Sequence, residues 1–161
     1  MADKTASQNQ TDEMQQTHAR MISTRLATPS DAAQLADLLC QLGYPTTELE
    51  ALERIIYMNS PGNSLIVVLD TAEPCGLVGV SVFPTVHASG KMAKVTALVV
   101  DEARRGRGMG QALLQAAEAF ARQEGAVRTE IASGNHRPAA HAFYRGAGYT
   151  QTDHSRFVLS W

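Results

Sequence analysis

From Lys94 to Ala132 the hydrophobic pattern changes period twice, and this succession constrains the fold more than any other stretch of the chain. Lys94–Val100 (KVTALVV) is short, apolar and rich in β-branched residues, which reads as a central strand. Gly108–Glu124 then carries Leu113, Leu114, Ala117, Phe120 and Ala121 on one helical face, and Gly125 ends it. Val127–Ala132 returns to a strand pattern. Two strands joined through a helix of this length are expected to lie parallel, with a right-handed crossover.

The elements upstream have the opposite character. Met21–Thr28 reads as a strand, followed by a helix start at Thr28-Pro29-Ser30-Asp31 with threonine as N-cap and proline at the first helical position. Leu35, Leu38, Leu39 and Leu42 then form one apolar stripe, and Gly43-Tyr44-Pro45 stops the helix. Thr46 and Thr47 open a second helix carrying Leu49, Leu52, Ile55 and Ile56. Leu65–Leu69 and Leu77–Phe83, separated by Asp70-Thr71-Ala72-Glu73-Pro74, read as a β-hairpin. Downstream, Pro138–Gly146 is a helix and Gly148–Trp161 a last strand or hairpin. The order β-α-α-β-β-β-α-β-α-β predicts an α/β (α+β) fold. Its central sheet is mixed and mostly antiparallel, with one parallel βαβ unit and helices on both faces.

Composition narrows the class. With 44% hydrophobic and 19% charged residues in 161, the chain has the make-up of a folded domain. No run approaches the ~18 apolar residues of a membrane helix, and Met1–Arg20 is polar without an apolar signal core. We read residues 1–20 as a mobile tail, 21–161 as a single domain, and the protein as soluble and cytoplasmic, with no membrane partner. Two cysteines, Cys40 and Cys75, are too few for a disulfide framework or a cysteine-based zinc site, and no metal is expected. Cys40 lies in an apolar helical pattern and is read as a small core residue. A net charge of −2 argues against a nucleic-acid partner.

The positive charge is nonetheless concentrated. Arg104, Arg105 and Arg107 fall among Gly106, Gly108 and Gly110, between the strand ending at Val100 and the helix that follows. Glycines there let backbone N–H groups approach a ligand, and a helix N-terminus adds free donors and a positive dipole end. The combination suits a pyrophosphate; the plain alternative is a flexible turn with a solvated basic face. A dinucleotide fingerprint starting at Gly106 would need glycine where Gln111 stands, and the P-loop pattern is absent.

What matches is Arg105-x-x-Gly108-x-Gly110 after Leu98-Val99-Val100, with Leu113-Leu114 behind it. A second block runs from Ser133 through Asn135, Pro138, Ala142, Phe143-Tyr144 and Gly146 to Gly148-Tyr149. Together they resemble the GCN5-related N-acetyltransferase (GNAT) superfamily. The resemblance implies direct transfer of acetyl from acetyl-CoA, the co-substrate, to a primary amine, without a covalent enzyme intermediate. It implies that Arg105, Gly106, Arg107, Gly108, Met109 and Gly110 hold the pyrophosphate and that backbone groups of Leu98, Val99 and Val100 pair with the pantetheine. Asn135 would hydrogen-bond the cofactor arm, or serve only as a turn or cap. Tyr144 would protonate the departing thiolate as a general acid. On the helix from Pro138, Ala139, Ala142, Phe143 and Gly146 share an apolar face, with Phe143 in the core and Tyr144 turned toward the cleft.

The general base departs from the family pattern. Many members carry glutamate where Thr96 stands, and threonine is no base near pH 7. Glu130 and His141 are the candidates, each of which also has a plain reading as an ion-paired or packing residue. The acceptor site is implied near Leu42–Pro45 and near the final hairpin, around His154. A small-molecule amine is the expected partner, and family habit leaves a homodimer open. Two other readings compete: a non-catalytic acetyl-CoA-binding sensor or partner-binding module of the same fold, and a nucleotide-binding regulatory domain. The tail gives the first test. Residues 1–20 lack apolar periodicity, so their deletion is expected to leave the melting temperature and CoA affinity unchanged. A melting temperature lower by several degrees would show that they pack on the domain.

Overall fold

The computed structural model describes residues 22–161 except 88, 154 and 156. The tail assigned to residues 1–20 and His154 therefore lie outside the described residues. Two compact units are present, one ending at Glu130 and the other running from Ile131 to Trp161. The first holds a five-stranded sheet in the order β1-β2-β3-β4-β5, comprising Ser23–Leu26, Asn63–Asp70, Glu73–Pro84, Lys91–Val100 and Ala126–Ile131, the last residue of which opens the second unit. β1 to β4 are successively antiparallel, and β4 and β5 are parallel. Its helices are α1 (Ala32–Leu42), α2 (Glu48–Met58) and α3 (Met109–Gln123), while α4 (Pro138–Gly146) belongs to the second unit.

Alternation along the central strands creates two apolar faces. Leu65 and Val67 on β2, Leu77 on β3 and Val99 on β4 face α1 and α2, where Leu35, Leu38, Ala51 and Ile55 complete a buried cluster. The intervening residues face α3. There Val68 and Leu113 crowd the space above Gly76, and Leu113, Leu114 and Ala117 are fully buried.

The helix starts follow their sequence signals. Thr28 precedes a short 3-10 turn, Pro29–Asp31, that leads into α1, and Gly43 closes α1 at φ 101°. Thr47 caps α2, accepting the N–H of Glu50, whose carboxylate accepts the N–H of Thr47 at 2.7 Å. Asp31 ties the first turn to β1. Its carboxylate takes both Arg25 guanidinium nitrogens, at 2.6 and 2.9 Å, and the N–H of Thr28 at 2.8 Å.

Four expectations need correction. Gly148–Trp161 forms no strand among the described residues; Phe157, Val158, Leu159 and Trp161 stand exposed, since strand propensity without a ladder partner makes no strand. On α2 the covered residues are Ala51, Leu52, Ile55 and Met58, whereas Leu49 and Ile56 are exposed, because alanine at 51 lets the helix approach on that side. Cys40 is exposed rather than in the core: at 100° per residue it points away from the Leu35–Leu38 stripe, and its Sγ meets the N–H of Thr46 at 3.4 Å. On α4 the partly covered face is Ala140, His141, Phe143, Tyr144 and Ala147, and Ala139, Ala142 and Gly146 are exposed.

The Arg25 fork holds the Asp31 carboxyl below its ordinary range, with the Thr28 N–H adding to the effect and burial opposing it. A lowered folded pKa gives a contribution that is full above the unfolded value of ~3.9 and is lost as pH falls through the folded value. Asp31→Asn is therefore expected to cost ~1.5–3 kcal/mol in urea unfolding at pH 7, with the gap to the parent closing below about pH 4. A gap that stays constant down to pH 2 would contradict this.

Candidate active site

β4 carries the centre of the site. Its register against β3 shifts between Gly79↔Ala97 and Val80↔Val95, so Thr96 is the extra residue of a bulge. Thr96 is exposed on the α1/α2 face, and a Cβ at Gly79 would lie 2.8 Å from its Oγ1. Glycine at 79 is thus what admits the threonine side chain. Leu98, Val99 and Val100 continue the strand, paired with Val78, Leu77 and Gly76, and Val99 is buried.

Beyond Val100 the chain makes a second 3-10 turn, Glu102–Arg104, and then enters α3 through Gly106 at φ 74° and Gly108 at φ 82°. Gly108 is the N-cap residue, and no side chain caps this helix end. The first intrahelical bond runs from Ala112 N–H to Gly108 O at 3.0 Å. The N–H groups of Met109, Gly110 and Gln111 therefore have no acceptor within the helix and point outward with the positive end of its dipole. A Cβ at Gly106 would meet nothing within 4 Å, and one at Gly108 only Ile22 Cδ1 at 3.7 Å. The space before the helix end is open on the side where an anion would sit.

The arginines divide their work. Arg105 donates from Nε to Val100 O at 3.0 Å and lies 3.6 Å from Glu102, so it braces the turn. Arg104 reaches back to the β2–β3 turn, pairing with the buried Asp70 at 3.1 Å and with Glu73 at 3.7 Å. Arg107 carries no ion pair with a described residue. It borders an open depression of about 560 Å³ that is also lined by Asp70, Glu73 and Arg104. Beneath the loop, the buried Cys75 lies with Sγ 3.1 Å from Met109 Sδ, and burial pushes its thiol above the ordinary range. A thiol so placed is a poor nucleophile.

The remaining candidates are spread over both units. Glu130 is exposed on β5, 3.3 Å from Arg128. Asn135 is exposed in the turn closed by Arg137 N–H to Gly134 O at 3.0 Å; Arg137, not Asn135, precedes the first residue of α4. His141 and Tyr144 stand one turn apart on α4, both half-buried. The Tyr144 ring lies 5.4 Å from Phe143 and 6.2 Å from Tyr149. Burial pushes its phenol above the ordinary value, partly offset by the charge of Arg137. Among the described residues, no group of three His, Cys, Asp or Glu side chains could hold a metal ion.

Comparison with known proteins places this arrangement in a family. Residues 32–149, which include β4, the glycine turn, α3 and α4, match the model of the acetyltransferase (GNAT) family. The chain is a GNAT N-acetyltransferase. Among curated relatives, it is 31% identical over 136 residues to the aminoalkylphosphonate N-acetyltransferase of Salmonella typhimurium, covering 83% of this chain and 88% of the relative. Among solved structures, a GNAT family acetyltransferase of Staphylococcus aureus is similar at TM-score 0.73 and 26% identity, covering 87% of this chain and 98% of that one. An aminoglycoside N-acetyltransferase AAC(6')-Iy, solved in complex with CoA, shares the fold at TM-score 0.78 and 12% identity, over 89% and 97% of the two chains.

Sequence reasoning did not single out Asp70 or Gln41, which contacts the turn across sixty residues. An aspartate directly after the apolar run Leu65–Leu69 was the available signal for the first; the second had none.

Two glycines separate backbone strain from ligand contact. Gly125, at the other end of α3, has φ 85° and open space around it, as Gly108 does. Alanine at either position is expected to lower stability by ~1–2 kcal/mol through the left-handed backbone. Only Gly108→Ala should weaken CoA, by tenfold or more in calorimetry, and Arg107→Ala should weaken it by ~1–2 kcal/mol. Equal CoA affinity in the two alanine variants would contradict the assignment.

Proposed function

We propose that this enzyme transfers acetyl directly from acetyl-CoA to the primary amine of a small molecule. The observation that carries the reading is the uncapped amino end of α3, entered through Gly106 and Gly108 with Arg107 beside it. Those N–H groups and that guanidinium suit a diphosphate, and the reading gives the pantetheine arm to backbone groups of Leu98–Val100, which lead to it. The relative that acts on aminoalkylphosphonates supports a small amine as acceptor and makes that class the first to try. The absence of a reactive thiol at Cys75 favours direct attack of the amine on the thioester. The protein is read as cytoplasmic.

Two proton transfers remain for side chains. An alkylamine of pKa ~10.4 is only about one part in 10³ neutral at pH 7, so a base must draw its proton. Glu130 and His141 are the groups assigned to that task, directly or through water, because Thr96 cannot perform it. Tyr144 supplies the proton to the leaving thiolate, and Asn135 holds the cofactor arm. A phenol kept above its ordinary pKa by burial stays protonated at neutral pH, as an acid requires. Deprotonation of this phenol is therefore expected to cause no alkaline fall in kcat below about pH 10.

Thr96 also favours a second reading, a module of this fold that binds acetyl-CoA without turnover. A thiol-release assay with acetyl-CoA separates the two. The panel would hold aminoalkylphosphonates, aminoglycosides, polyamines and amino acids. The proposal expects thiol release matched by N-acetylated amine; CoA binding with no release from any amine would favour the second reading. In the active enzyme, Tyr144→Phe is expected to lower kcat ~10²–10⁴-fold with little change in the acetyl-CoA KM, since the hydroxyl acts as charge develops on sulfur. An unchanged kcat would remove Tyr144 from the mechanism.

A further inference from the structure

One side chain far away in sequence holds the turn that precedes α3. Gln41 lies in the last turn of α1 and uses both ends of its amide on this turn. Its Nε2 donates to Asp101 Oδ2 at 3.1 Å, and its Oε1 accepts the N–H of Glu102 at 3.1 Å. The other oxygen of the same carboxylate, Asp101 Oδ1, accepts the N–H of Ala103 at 3.0 Å, and the N–H of Asp101 is bonded to Cys75 O at 2.8 Å. Amide, carboxylate and three loop N–H groups thus form one connected set, anchored to α1 at one end and to β3 at the other.

We propose that Gln41 is a positioning residue for the co-substrate. It fixes the course of residues 101–103, so that Arg107 and the N–H groups from Gly106 to Gly110 face a diphosphate before one arrives. The proposal rests on the reading of Arg105–Gly110 as the diphosphate cradle. Its physical basis is preorganisation: a turn already held in its bound shape loses less freedom when the ligand binds. The task also explains the residue type. A side-chain amide offers a donor and an acceptor together on one carbon; ionised glutamate lacks the donor, leucine both, and asparagine is shorter by one methylene. Gln41 is exposed, so its role does not rest on filling the core.

The test compares Gln41→Leu with the parent by calorimetry, using CoA and pantetheine as probes, alongside a thermal melt. The CoA Kd is expected to rise about three- to tenfold, the scale of one or two net hydrogen bonds. The pantetheine Kd should stay within twofold, because that ligand has no diphosphate for the turn to meet. Equal losses for both probes, or a lower melting temperature with unchanged CoA affinity, would overturn the proposal. Gly108→Ala keeps this failure distinct from failure of the cradle. If Gly108→Ala weakens CoA and Gln41→Leu does not, Gln41 alone is misassigned; if neither weakens CoA, the cradle itself is wrong.

Discussion

The N–H groups at the amino end of α3 have no acceptor within their helix and no capping side chain. A helix end left in that state faces either water or an anion, and the proposed function reads the surrounding residues as suited to the anion. Gly106 and Gly108 take left-handed backbone conformations and place no side chain in front of the donors. Arg104 and Arg105 spend their charge on Asp70 and Glu102, which fixes the turn, and leave Arg107 as the guanidinium available to a ligand. A site of this kind depends less on any one contact than on several elements holding one turn still.

The sheet supplies that stillness. β4 is gripped along its length by β3, and its two faces are covered by different helices. The bulge at Thr96 lies between Lys91–Val95 and the part of β4 that leads to the turn. A bulge there lets one residue leave the ladder while Leu98–Val100 continue it. Threonine at this point, seated against Gly79, keeps the position small and uncharged. In the proposed mechanism the amine's proton is therefore taken by another side chain or through water.

Much of the fold was legible because local and tertiary preferences agree. Thr28-Pro29, Thr47, Gly43 and Gly125 mark helix ends by backbone chemistry that hardly depends on context, and the structure places the ends beside them. The strand–glycine turn–helix succession from Lys94 to Glu124 was legible for the same reason, and with it the family. The faces of the helices were less so. Leu49 and Ile56 fit an apolar stripe as well as Ala51 does, but only packing decides which side of α2 meets the sheet. Cys40 and the α4 face failed similarly, by a fraction of a turn. The C-terminal segment has strand-forming residues at 157–159 without a ladder, and partners cannot be read from propensity. Gln41 was invisible because nothing in a helical glutamine announces a partner sixty residues away.

Amide hydrogen exchange at Gly106, Gly108 and Gly110, followed by NMR with and without CoA, tests most directly whether this turn is the diphosphate cradle. The N–H groups of an open helix end exchange readily, and those bonded to a diphosphate do not. Saturating CoA is predicted to slow exchange at these glycines at least tenfold, while pantetheine leaves them unchanged. If CoA binds with calorimetric heat yet the three amides exchange as before, the turn is not where the diphosphate sits.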